Sequence, residues 1–168
     1  MFDTKQARFE RLVRAYSAEL FRYAYWICRD RFIAEDLVQE TFARAWSAWA
    51  SLRDEAAAKS WLYTILRNEN ARLYERKRVD VTDGVDLDTI EDQRLRSISA
   101  EIEMRDALHA LPEGYREPLL LQVVGGFSCD DIARIMNLTT GAVMTRLSRA
   151  RLALRQGAGH IDSRKESS

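Results

Sequence analysis

Phe9, Leu12, Val13, Tyr16, Leu20, Tyr23 and Ile27 recur at spacings of three and four, the rhythm of a helix that buries one face. Ile33, Leu37, Val38, Phe42, Ala45, Trp46 and Trp49 repeat it in a second segment. A third helix is predicted from near Lys59, with Trp61, Leu62, Ile65 and Leu66 at its head and a basic second half, Arg67, Arg72, Arg76, Lys77 and Arg78. These aromatics, Trp46 and Trp49 included, are expected in the core. From Val79 to about Ser99 the rhythm fails, and VDVTDGVDLDTIEDQ reads as an extended or disordered acidic tether. Periodicity resumes in a short helix, with Met104, Ala107, Leu108 and Leu111, stopped by Pro112. A further helix carries Leu119, Leu120, Val123 and Val124 and ends at Gly125-Gly126. Two more helices close the chain.

The last two have the grammar of a helix-turn-helix running from about Ser128 to Arg155. Ser128 with Asp131 three residues on predicts a capped helix start. Ile132, Ala133, Ile135 and Met136 supply an inner face. Asn137 tolerates the left-handed backbone of a tight turn, and Leu138 fills the angle between helices. Thr139 or Thr140 caps the next helix. At 100° per residue, Val143, Leu147, Ala150 and Leu154 fall in one sector and face inward. Gly141, Thr145, Ser148 and Arg149 fall opposite, with Met144 and Arg151 to one side and Arg146 to the other. Such a helix suits the major groove, with Arg149 reaching a guanine edge and Arg146 and Arg151 reaching phosphates.

Composition sharpens the picture without changing it. The 168 residues are 46% hydrophobic and 31% charged, with 7 Gly and 2 Pro, as in a globular chain able to run long helices. No apolar run is long enough to span a bilayer, and MFDTKQARFER lacks the apolar core of a signal peptide, so a cytoplasmic protein without membrane insertion is expected. Cys28 and Cys129 are expected as ordinary thiols, and two Cys with two His make no zinc motif. The 26 basic and 26 acidic residues cancel overall but not locally. Residues 1–78 hold 15 basic against 11 acidic, 79–103 hold 2 against 8, and 104–156 hold 7 against 5. A neutral total is therefore compatible with nucleic acid, because binding depends on where charge sits.

LPEGYREPLLLQVVGGFSCDDIARIMNLTTGAVMTRLSRARLALR (Leu111 to Arg155) resembles region 4 of the extracytoplasmic-function sigma factors of bacterial RNA polymerase. AEDLVQETFARAWSAW (Ala34 to Trp49) with KSWLYTILRNENARLYERKR (Lys59 to Arg78) resembles their region 2. The match runs over roughly residues 8–156 in the family's order. It implies an all-α fold of two small helical domains, region 2 over 1–78 and region 4 over 104–156. An acidic flexible linker over 79–103 and a disordered tail over 157–168 complete the expected organisation.

The resemblance also implies a role for each surface. Asp36, Gln39, Glu40 and Arg44 match the surface that docks on the clamp coiled coil of core polymerase, and they project away from the apolar face. Arg53, Asn68, Arg72, Arg76, Lys77 and Arg78 are candidates for reading and opening the −10 element, where freed bases must be caught and the strand held by cations and aromatics. In the loop Leu52 to Ala58, which corresponds to the base-capturing segment, Asp54 and Glu55 stand where relatives often carry Gly-Asp. Thr140, Met144, Thr145, Arg146, Ser148, Arg149 and Arg151 are candidates for the −35 element. Met144 stands where several relatives carry Arg or Lys, which substitutes an apolar contact, such as one to a thymine methyl. The Leu119–Val124 helix is a candidate for the polymerase flap. The acids Asp86, Asp88, Glu91 and Asp92 would imitate a nucleic-acid backbone in a basic tunnel. An anti-sigma factor, often membrane-tethered, is an implied partner, and it would hold the protein at the inner membrane.

No catalytic centre, metal or cofactor is expected. The principal alternative is a free-standing dimeric helix-turn-helix regulator, which calls for a dimerisation helix or effector pocket that the first block does not offer. A nuclease would need a second acidic or His cluster to complete Asp36 and Glu40. An RNA-binding adaptor is the remaining alternative.

Overall fold

A computed structural model describes the backbone of residues 4–80 and 99–165 and the side chains of 4–77 and 103–157. Seven α-helices occupy the described residues: α1 (Lys5–Cys28), α2 (Arg31–Ser47), α3 (Ala58–Asp80), α4 (Ser99–Ala110), α5 (Glu113–Val123), α6 (Cys129–Met136) and α7 (Thr140–Lys165). Two single 3-10 turns, Trp49–Ser51 and Glu55–Ala57, connect α2 to α3. The chain divides into two compact units, Met1–Thr89 and Ile90–Ser168.

In the first unit α1, α2 and α3 pack against one another. Thr4 caps α1 by accepting from the Ala7 amide at 3.1 Å. The helix ends on Arg29 in the left-handed conformation, φ 59°, whose amide returns to the Tyr25 carbonyl at 3.0 Å. Leu12, Leu20, Tyr23 and Ala24 of α1 meet Ala34, Leu37, Val38 and Ala45 of α2 and Leu62, Tyr63 and Leu66 of α3, all buried. Tyr23 and Tyr63 cross edge to face with centroids 5.0 Å apart. The Tyr63 hydroxyl donates to Glu19 at 2.9 Å, and Lys59 pairs with the same carboxylate at 2.9 Å. Burial, followed by the bond to Glu19 and its charge, pushes the Tyr63 phenol well above its ordinary range. Trp49 is half-buried, but Trp46, expected in the core, remains 40% exposed. Its ring meets Phe9 in a T-shaped contact, and Lys5 lies 4.0 Å over it.

In the second unit α5, α6 and α7 form the core, with α4 against α5 and α7. Leu108 and Leu111 are buried as their spacing predicts, whereas Met104 is exposed. Arg116 of α5 closes the end of α4, donating to the carbonyls of Leu108, His109 and Leu111 at 3.0, 3.1 and 2.8 Å. α5 also carries a proline inside it, Pro118, buried among Leu119, Leu120 and Leu121. Proline has no amide proton, so the Gly114 carbonyl four residues earlier lacks its helical donor. The Arg146 guanidinium of α7 approaches that carbonyl instead, at 3.4 Å.

α7 runs through Lys165, across the residues expected as tail from Gly157, because a helix already anchored by packing propagates at little cost where no proline stops it. The stretch expected as linker over 79–103 falls between the helices of the two units, with α3 reaching Asp80 and α4 beginning at Ser99. Asp86, Asp88, Glu91 and Asp92 lie outside the described residues.

The turn after α5 is tight. Gly126 adopts φ 68°, and a methyl group on Gly125 would stand 2.6 Å from the Leu121 carbonyl oxygen and 2.7 Å from the Phe127 ring. Gly125→Ala is therefore expected to destabilise the second unit by about 1–3 kcal/mol, read as a lower urea midpoint in circular dichroism. An unchanged midpoint would show that this turn has room the geometry does not give it.

Candidate functional site

The first surface is the outer face of α2. Asp30 caps the helix, its Oδ1 accepting from the Phe32 and Ile33 amides at 2.8 and 3.1 Å. Ala34, Leu37, Val38, Thr41 and Ala45 are buried, and Thr41 satisfies its hydroxyl by donating to the Leu37 carbonyl at 2.7 Å. This inward stripe leaves Asp36, Gln39 and Glu40 exposed on the far side. Phe32 heads the same face and is 77% exposed. Its signal was available in the sequence, for Phe32 stands one residue ahead of the stripe begun by Ile33. Arg44 behaves differently from the other three. Its Nε lies 2.5 Å from Oε1 of Glu69 in α3 and 3.4 Å from Glu40, so the guanidinium turns to the edge shared with α3.

The second surface joins the loop after α2 to the outer side of α3. Arg53 is exposed in that loop. The two residues that depart from the family pattern both have local roles. Asp54 accepts from the Ala56 amide at 3.0 Å and starts the second 3-10 turn. Glu55 accepts from Arg8 of α1 at 2.7 Å, and Arg8 also lies over the Trp49 ring. Asn68, Arg72, Arg76 and Lys77 are exposed along α3, while the Arg78 side chain lies outside the described residues. Between α2 and α3 runs an open groove lined by Glu40, Arg44, Asn68 and Arg72, with Glu69 at its base. Residues expected to serve two different partners thus share one depression. Glu69 itself went unrecognised in the sequence, since nothing in RNENAR marks one acid as buried.

The third surface is the helix-turn-helix. Ser128 caps α6 by accepting from the Asp131 amide at 3.2 Å. Asn137 takes the left-handed turn at φ 54°. Of the two threonines, Thr139 is the cap, accepting from the Ala142 amide at 3.1 Å. Thr140 opens α7 and donates to Asp130 at 2.8 Å, which ties the two helices of the motif together. Val143, Leu147 and Ala150 are buried and Leu154 half-buried, leaving Gly141, Met144, Thr145, Ser148 and Arg149 exposed. Thr145 returns its hydroxyl to the Gly141 carbonyl at 3.0 Å. Arg146, expected at a phosphate, is half-buried, and its guanidinium lies 3.4 Å from the Gly114 carbonyl that Pro118 leaves open. Arg151 is exposed and donates to Gln122 of α5.

Comparison with known proteins covers both units. The Sigma-70 region 2 family matches residues 12–79, and the Sigma-70 region 4 family matches 101–154. The ECF RNA polymerase sigma factor EcfG of Rhodopseudomonas palustris is 38% identical over 124 residues, 72% of this chain and 68% of its own. The ECF RNA polymerase sigma factor SigM of Bacillus subtilis is 28% identical over 151 residues, 87% of this chain and 92% of its own. Among solved structures, the sigma factor RpoE of Bartonella quintana, crystallised with the anti-sigma factor NepR, superposes with a TM-score of 0.74 at 27% identity. That superposition covers 90% of this chain and 97% of RpoE.

Proposed function

The chain belongs to the extracytoplasmic-function sigma factors of the sigma-70 family, and from that membership we propose how its surfaces divide the work. The outer face of α2, with Asp36, Gln39, Glu40 and the exposed Phe32, docks on core RNA polymerase. Arg53, Asn68, Arg72, Arg76, Lys77 and Arg78 hold the −10 element and its opened strand. The exposed side of α7, with Met144, Thr145, Ser148 and Arg149, reads the −35 element. The observation that carries this division is the pairing of an acidic exposed face on α2 with an acid-free exposed face over residues 140–157 of α7, one in each matched region.

Sigma factors are regulatory DNA-binding proteins rather than enzymes, and opening a promoter needs no bond-making group. The energy comes from capturing unstacked bases and neutralising phosphate. An anti-sigma factor that covers the polymerase-binding faces is the expected regulator, as the pairing of RpoE with NepR suggests. Among the described residues no helix is long and apolar enough to cross a membrane, and action in the cytoplasm is expected. The free-standing regulator is disfavoured, because region 2 supplies a polymerase-type surface in place of a dimerisation helix.

The test is run-off transcription with core polymerase, the full chain and a genomic promoter library. Start sites that appear only when the protein is added support the proposal. Their absence, or tight duplex binding without polymerase, overturns it.

A further inference from the structure

Glu69 has only 6% of its surface exposed, and the division of surfaces above leaves it without a task. We propose that Glu69 is a positioning residue that fixes Arg44 of α2 and Arg72 of α3 across their shared groove, so that the polymerase-facing and promoter-facing surfaces of the first unit form one rigid body. The inference rests on the sigma-factor role proposed above and adds a coupling between its two halves.

The geometry makes the case. A carboxylate removed from water must be paired, and Glu69 meets a cation from each helix. Arg44 Nε stands 2.5 Å from its Oε1, and Arg72 Nη1 donates to the same oxygen at 3.3 Å. Arg44 Nε carries a single proton, and Glu69 lies nearer to it than Glu40 does by nearly an ångström. The buried acid therefore orients this arginine more strongly than its neighbour on α2. The two arginine side chains are 43% and 52% exposed, so their outer nitrogens remain available to a partner. Asn68 and Glu40 line the same groove. Without the anion at its base, two cations would face each other across the depression and swing apart into water.

Replacing a whole buried ion pair by apolar residues is often neutral, whereas removing one partner strands the other. A fastening that served only the fold would lose stability on Glu69→Leu without slowing opening by the folded chain, and a positioning device would slow opening whatever the midpoint. This difference separates the two roles.

The experiment uses the full chain with core polymerase and compares Glu69→Leu and Glu69→Gln with the wild type. It reads urea midpoint, affinity for core, and the rate of open-complex formation at saturating core. For Glu69→Leu the expected result is a midpoint at or below that of the wild type, with promoter opening slowed roughly tenfold. Glu69→Gln, which keeps shape and an acceptor oxygen, recovers part of that loss. Adding Arg44→Leu to Glu69→Leu costs little more, because the first change has already released the arginine. Opening by Glu69→Leu at the wild-type rate overturns the inference, as do strictly additive effects of the two changes. Should Glu69→Leu fold poorly, Glu69→Gln decides by the same rate, and wild-type opening by it overturns the inference. A wild-type chain that yields no polymerase-dependent opening sinks the sigma-factor role and this coupling together. Normal wild-type opening alongside normal variant opening sinks the coupling alone.

Discussion

Reversing the charge of the outer face of α2, with Asp36→Lys and Glu40→Lys together, is expected to weaken binding to core polymerase by about a hundredfold. Like charges brought together at an interface cost several kcal/mol, and both positions are exposed on the face left free by the buried stripe of Ala34, Leu37, Val38 and Thr41. The fold should hold, since lysine is a good helix former and neither carboxylate supports the core. The control is Glu10→Lys with Glu75→Lys, an equal change of charge at exposed positions on α1 and α3. Competition against a labelled sigma factor for core polymerase measures both. Equal affinities for the two double variants would remove α2 from the interface. A loss that vanishes at high salt would reveal long-range attraction in place of docking.

The second large effect concerns two arginines three residues apart on α7. Arg149→Ala is expected to lower holoenzyme occupancy of a −35 site by about 1–3 kcal/mol and to relax preference at one base pair, the signature of a lost base contact. Arg146→Met should behave otherwise. A phosphate contact contributes roughly 0.9 to the slope of log K against log salt. Because the Arg146 guanidinium is drawn to the Gly114 carbonyl, its loss should leave that slope unchanged while lowering the unit's thermal midpoint. Salt titrations of holoenzyme on one promoter decide the matter. A shallower slope for Arg146→Met would restore that arginine to the phosphate contacts.

The contrast between these arginines shows what could be seen in the sequence. Helix periodicity located Val143, Leu147 and Ala150 inside and Arg149 outside, because each of those outcomes depends on neighbours within two turns. The capping of α6 by Ser128 and the left-handed turn at Asn137 were visible for the same reason, as local backbone chemistry written in local residue types. Arg146 depends on a carbonyl 32 positions away, freed by a proline in another helix, and no window along the chain contains both. Glu69 is similar, since its burial follows from how α2 crosses α3. Trp46 followed its spacing in direction, toward Phe9, but not in depth, since it stays 40% exposed. Of the candidate surfaces, the sequence located the elements, and packing then selected which side chains stay available.

Pro118 also bears on the order in which the second unit assembles. The interior of an ordinary helix satisfies its own backbone, but α5 is one donor short there until α7 arrives to face Gly114. Its buried leucines likewise need α6 and α7 to cover them. An isolated α5 thus gains little by forming early, whereas α6 carries its own cap and turn. The helix proposed to read DNA is then also the one whose docking completes the unit, so a recognition surface displayed on a half-formed domain should hardly be populated. In kinetic terms the unit is expected to fold in one step, with contacts between α5 and α7 on the late side of its barrier.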